Sequence, residues 1–244
     1  MELVSPFTFI YTYLRSPLSP LTYGQPPPMS IHNPSSVLAG LFLIHYTNRA
    51  VLSPLRTPSR SKSHLIVTFA GVFFNVVNGP LLGAYLSSPE CQSYLTGAYR
   101  RPLFWAGTLL WAVGYTGNIV HDEILLNIRR KKQAEDAMKT PDQIAKEKGK
   151  GEHYGIPHGL LYKYISYPNY FCEWIEWLGF ALAASPLPSF EGWAPFLATT
   201  TPPFLFFIAE VLTMMPRAVR GHQWYHSKFP NYPRERKAII PFLI

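Results

Sequence analysis

The chain alternates long apolar runs with short polar stretches. Five runs are long and apolar enough to cross a hydrocarbon layer about 30 Å thick: Pro34–Ser53, Leu65–Ser87, Leu103–Ile128, Tyr170–Leu187 and Pro195–Met215. The second is the cleanest, with 23 residues and no charge. A sixth, Leu3–Leu14, is too short to span unaided and reads as a re-entrant segment or part of a longer helical hairpin. The pattern predicts an all-α membrane bundle of about six helices.

The charges between the runs give an independent check. If the runs alternate in direction, three groups of Lys and Arg fall on one side. These are Arg56, Arg60 and Lys62, the nine of the Arg129–Asn169 loop, and the six of the tail from Pro216. The other side holds Arg15, Arg100 and Arg101, while Arg49 lies within a run. Such an asymmetry follows the positive-inside rule and puts the C-terminus in the cytosol. The segment Arg129–Glu152 mixes both signs of charge and reads as a solvated, partly helical or disordered connection.

Composition agrees. Hydrophobic residues make up 48% and charged residues 15%, below the roughly 25% charge of an average soluble protein. A mean hydropathy of +0.02 is modest because basic loops dilute the apolar runs. The net charge of +8 raises the question of nucleic acid, but no nucleic-acid-binding motif accompanies it, and none is expected as a partner. Cys91 and Cys172 make no disulfide framework or metal spacing. Met1-Glu2 provides no basic region of a cleavable signal peptide.

Polar residues inside apolar runs are expensive and therefore candidates for function. Asn118, Asp122, Leu125 and Arg129 follow i, i+4, i+7 and i+11, one stripe at helical period. Asn169, Glu173 and Glu176 or Trp177 form a second, Arg217, Gly221, Trp224 and Tyr225 share a face, and Tyr46 and Arg49 stand at i and i+3. Interhelical hydrogen bonding alone could account for any one of these. Together they describe a polar pocket open to the cytosol, with arginines for phosphates and carboxylates for ribose or amide groups. No GxGxxG or GxxxxGK[ST] element is present, so a dinucleotide would have to be held by the helices themselves. His45, His121 and His222 match no metal-ligand spacing, and no metal is expected.

Three blocks carry a resemblance. GNIVHDEILLNIRR (Gly117–Arg130), YGIPHGLLYKYISYPNYFCEWIEWLGFALA (Tyr154–Ala183) and RAVRGHQWYHSKFPNYPRERKAIIPFLI (Arg217–Ile244) resemble the C-terminal signatures of the steroid 5α-reductase family. MELVSPF, LAGLFLIHYTNR and NGPLLGAYL match more loosely. The resemblance implies N-terminal membrane segments over 1–64 on the substrate side. It also implies a C-terminal domain over 65–244 with the NADPH site and a charged cytosolic loop over 129–153. The family has seven helices as its norm, with a further one ahead of the Glu2 position, so the start is expected to be truncated. Localisation in the endoplasmic reticulum membrane and a monomeric state are implied.

Carried over position by position, Arg49, Arg60, Asn118, Asp122, Arg129, Tyr154, Asn169, Glu173, Arg217 and Tyr225 match positions that bind NADPH. Glu2 and Tyr46 match the carboxylate and phenol set against a substrate's 3-oxo group. The implied reaction is NADPH-dependent reduction of the conjugated C=C of a 3-oxo-Δ4-steroid or related lipid enone. Gly155 stands where the family often has Arg, and Gly221 where His is common. Three alternatives stay open. These are a polyprenal or trans-2-enoyl thioester reductase, a non-catalytic sterol- or lipid-binding membrane protein, and a methyltransferase using S-adenosylmethionine.

Overall fold

The computed structural model describes residues 2–19, 26–57, 65–138 and 155–244. Their regular elements are helices, joined by one isolated parallel bridge between Ile165 and Lys237. In chain order the α-helices are α1 (Val4–Arg15), α2 (Pro34–Thr47), α3 (Leu65–Ser87), α4 (Pro89–Leu95), α5 (Pro102–Ala137), α6 (Pro168–Ala184), α7 (Trp193–Thr199) and α8 (Pro202–Lys228). Local chemistry starts several of them. Asn33 accepts from the Ser35 amide at 3.0 Å with Pro34 in the first turn, and Ser88 accepts from the Cys91 amide at 3.2 Å ahead of Pro89.

Helix α2 does not stop at Thr47. It widens into a π turn over Asn48–Leu52, where the Ser53 amide reaches the Asn48 carbonyl, and then resumes as a short turn at Ser53–Arg56. Pro54 accounts for the widening, because it has no amide to offer the Ala50 carbonyl and its ring crowds that oxygen. Arg49 sits inside the π turn.

Two expected runs differ from the helices found. Pro195–Met215 is not one run but two helices, broken at Thr200–Thr201 because Pro202 and Pro203 hold the preceding residue out of the helical region. Helix α5 passes the expected end at Ile128 and takes in Arg129–Ala137, making 36 residues and a length of about 54 Å. The rest of the mixed-charge segment lies outside the described residues.

Small residues bring two helix pairs to backbone contact. Helix α1 runs parallel to α3, with Phe9 O only 2.6 Å from where a side chain on Gly83 would begin. Helices α5 and α6 are antiparallel and closer still. A Cβ on Gly107 would lie 2.6 Å from Gly179 O, and one on Gly114 would lie 2.5 Å from Cys172 O. Aromatic rings fill the centre, with Phe9 on Phe42 at 4.1 Å and Trp177 on Phe206 at 4.6 Å, tying α1, α2, α6 and α8 together.

Among the described residues two helices are long and apolar enough to cross a membrane, Thr68–Ser87 and Pro202–Lys228. Their outward residues Phe69, Phe73 and Leu212 are exposed, which suits lipid rather than water. Beyond α8 the tail returns to the α6 entrance. Ser166 N donates to Lys237 O, Lys237 N to Tyr164 O and Tyr167 N to Ala238 O, all at 2.9–3.0 Å.

Candidate functional site

The stripes read from the sequence meet across the α5–α6 seam. Asn118 Nδ2 donates to Glu173 Oε2 at 3.0 Å and to Asn169 O at 3.1 Å, and Asn169 Nδ2 donates to Asp122 Oδ1 at 2.9 Å. Arg49 approaches this ladder from α2, with Nη1 3.9 Å from Asp122 Oδ2 and Nε 3.3 Å from Glu2 Oε1. Three distant segments therefore converge on one guanidinium, because the π turn carries Arg49 on the inner face of its helix.

Two adjoining cavities share Glu2, Arg49 and Arg217 in their walls. The first, about 390 Å³, lies between α2, α3 and α8 and adds Tyr46, Phe74, Glu173 and Glu210. The second, about 530 Å³, adds Ser53, Thr57 and Arg129. Neither Arg129 nor Arg217 has an ion-pair partner among the described residues, so the second cavity presents cationic donors suited to an anion. Asn118, Asp122 and Asn169 reach the cavities through Arg49 and Glu173. Asn169 Oδ1 is a buried acceptor without a partner among the described residues.

Tyr46 is buried, with its ring against Phe42 at 4.6 Å. Asn78 Nδ2 donates to its phenolic oxygen at 2.9 Å, so the phenol is the acceptor in that bond and keeps its own proton. Glu2 lines the same cavity, but its carboxylate pairs with Arg49 rather than with Tyr46. Next to Tyr46, His45 Nδ1 lies 2.7 Å from Glu176 Oε1 and its Nε2 lies 3.9 Å from Glu173.

Tyr225 is placed differently from the other site residues. It stacks on Tyr232 at 5.1 Å and meets Tyr167 edge-on at 6.4 Å, apart from the lining of either cavity. Burial pushes the Tyr167 phenol above its ordinary range, with the neighbouring Tyr225 adding to the effect, and burial does the same at Tyr162. Gly221 belongs to this cluster, because any side chain there would occupy the space of the Tyr167 phenol. Much of the terminal block is thus structural. Ser166 Oγ is 2.6 Å from His222 Nδ1 and 2.7 Å from Tyr232 Oη, and Arg236 donates to Pro157 O at 3.0 Å. Arg60 and Tyr154 lie outside the described residues.

Sequence reasoning missed four contributors. Asn78 and Asn75 were the polar interruptions of an otherwise apolar α3, and Glu210 the lone carboxylate of the fifth run. Glu123 was the fourth, bridging Arg130 and Arg56, the latter at 3.6 Å, and so fastening the end of α2 to α5 beside the second cavity.

A family model described as 3-oxo-5-alpha-steroid 4-dehydrogenase matches residues 61–244. Among similar proteins, 3-oxo-5-alpha-steroid 4-dehydrogenase 1 of Rattus norvegicus is 35% identical over 212 residues, 86% of this chain and 68% of the relative. Steroid 5-alpha-reductase DET2 of Solanum lycopersicum is 32% identical over 215 residues, 85% of this chain and 68% of the relative. A Schizosaccharomyces pombe protein named uncharacterized protein C9.08c is 41% identical over 250 residues, covering 100% of this chain and 82% of its own.

Proposed function

Because the chain belongs to the 3-oxo-5-alpha-steroid 4-dehydrogenase (steroid 5α-reductase) family, we propose that it reduces the conjugated C=C of a 3-oxo-Δ4-steroid with NADPH. It is an oxidoreductase acting on CH–CH donors, embedded as a monomer of about six spans in the endoplasmic reticulum membrane with its C-terminus in the cytosol. The observation that carries this reading is the pair of cavities sharing Glu2, Arg49 and Arg217, one bearing a buried phenol and the other arginines that have no ion-pair partner among the described residues.

The residues fit the cofactor. Arg129 and Arg217 would hold phosphates, Glu173 borders the first cavity, and Asn118 and Asn169 would act from behind by holding Glu173 and Asp122 in place. When bound, NADPH would supply the hydride taken up at the β-carbon of the enone, and a proton from water at the α-carbon would complete the reduction. The chain's own part is at the carbonyl. Tyr46 donates to the oxygen where negative charge develops, and Asn78 keeps that donor aimed before the charge appears. Glu2, held by Arg49, borders the same oxygen and adds no second donor while ionised. The aromatic packing of Phe42, Trp177 and Phe206 excludes water behind the phenol, which strengthens the interaction.

The test is NADPH oxidation by the purified, detergent-solubilised chain given a 3-oxo-Δ4-steroid, a polyprenal and a trans-2-enoyl thioester. Turnover of the steroid is the expected result. Turnover of one of the others alone would move the substrate class. NADPH binding without oxidation on any of the three would make the chain a lipid-binding protein.

A further inference from the structure

The proton that completes the reduction has no carrier among the residues assigned so far. Tyr46 is engaged at the carbonyl oxygen, and Glu2, ionised against Arg49, has none to give. His45 stands next to Tyr46 on α2 and lines the same 390 Å³ cavity. Its ring runs from the cavity to a fully buried carboxyl behind it. Nδ1 lies 2.7 Å from Glu176 Oε1, while Nε2 lies 3.9 Å from Oε1 of Glu173, a lining residue. Trp177 at 4.7 Å and Tyr46 at 5.1 Å meet the ring edge-on and fix its plane. Glu176 Oε2 is buried and has no hydrogen-bond partner among the described residues.

A carboxyl that makes one bond and leaves its second oxygen buried and unmet is costly as mere support for a fold. Against an imidazole it is a place to keep a proton away from water. We propose that His45 is the catalytic acid that protonates the α-carbon, with Glu176 as the positioning residue behind it. This rests on the cavity being the steroid site. The α-carbon is two bonds from the oxygen that Tyr46 meets, so its donor belongs on the same wall of the cavity, where His45 stands. Loaded, the pair carries one hydrogen on Nε2 and a second between Nδ1 and Glu176 Oε1. The enolate's electron pair forms the C–H bond as the Nε2–H bond breaks, and the second hydrogen stays on Nδ1. What remains is a neutral imidazole beside a carboxylate, and a proton from water in the cavity reloads Nε2. Glu173 is the poorer donor, because Asn118 Nδ2 holds its Oε2 as an acceptor at 3.0 Å.

The experiment measures isotope effects on kcat/KM for the full chain with NADPH and progesterone, as wild type, His45→Asn, Glu176→Gln and Glu210→Gln. In the wild type, NADPH deuterated at the transferred position should slow the reaction. In His45→Asn, kcat/KM should fall about 100-fold, that effect should fade toward one, and the effect of D2O should grow, because protonation has become the slow step. Glu176→Gln, which keeps a hydrogen bond to Nδ1 but cannot share the second proton, should show the same shift with a smaller loss. A damaged fold lowers the rate without moving either isotope effect. Unmoved isotope effects in His45→Asn, or the shift appearing in Glu210→Gln instead, would overturn the proposal. If His45→Asn yields no folded protein, Glu176→Gln decides alone. If the wild type reduces no enone, the reductase reading fails separately. The NADP+-loaded chain with a saturated 3-oxo-5α-steroid in D2O then decides, mass spectrometry reading the deuterium gained at the α-carbon. Exchange that His45→Asn loses supports the acid, while no exchange above buffer, or exchange that survives His45→Asn, overturns it.

Discussion

The α5–α6 seam and the wall between α3 and α8 are built on opposite principles. At the seam, glycines on both helices leave no room for a single Cβ, and the polar side chains that cross it are bonded to one another. Between α3 and α8 the helices touch through Phe74 and Phe206, 5.7 Å apart at the ring centres, and beyond that contact they stand open around a cavity. The difference teaches where this fold can vary. The seam fixes the frame that presents Arg49, Asn118 and Glu173, whereas the open wall can change its side chains without moving that frame.

The comparison breaks most severely at Gly114. Gly114→Val forces a side chain into the Cys172 carbonyl and should destabilise by more than about 3 kcal/mol, read as loss of folded protein in detergent on heating. Gly40→Ala, where no atom lies within 4 Å of the added carbon, should leave the melting temperature unchanged or slightly raised. Equal loss in both would mean that the seam is not specially tight.

Next in size is Tyr46→Phe, which keeps the ring packing but removes the donor from the open cavity. Turnover of an enone should fall about 10²- to 10³-fold while NADPH affinity stays nearly constant. A matching loss of NADPH binding would assign Tyr46 to the frame instead. Smallest is Arg129→Ala. If Arg129 holds the 2′-phosphate, NADPH should weaken about 10- to 100-fold with NADH scarcely affected, and equal losses would remove that role.

What could be read from the sequence depended on repetition. Asn118 with Asp122 and Asn169 with Glu173 recur one turn apart, so each pair announces a face, and the structure sets the two faces against each other. Arg49 was legible because an arginine in an apolar run has few neutral explanations. Glu210 stands alone, and a lone polar residue carries no period by which to judge its direction, whereas Asn75 and Asn78 share a face of α3 at i and i+3 and were open to the same reading. The break at Thr200–Thr201 was signalled by Pro202 and Pro203 but masked by apolar residues on both sides. Tyr225 matched a cofactor position by resemblance, and its packing in an aromatic cluster with Tyr167 and Tyr232 had no period to announce it.

The π turn over Asn48–Leu52 holds one residue more than an α-helical turn would. That residue is absorbed within the one turn, so Ser53 still stands a single turn beyond Asn48 and the helix on either side keeps its register. Ser53 and Thr57 therefore reach the wall of the second cavity although Pro54 interrupts the hydrogen bonding of the helix that carries them. One continuous segment thus serves both cavities, with Tyr46 ahead of the wide turn and Ser53 and Thr57 behind it.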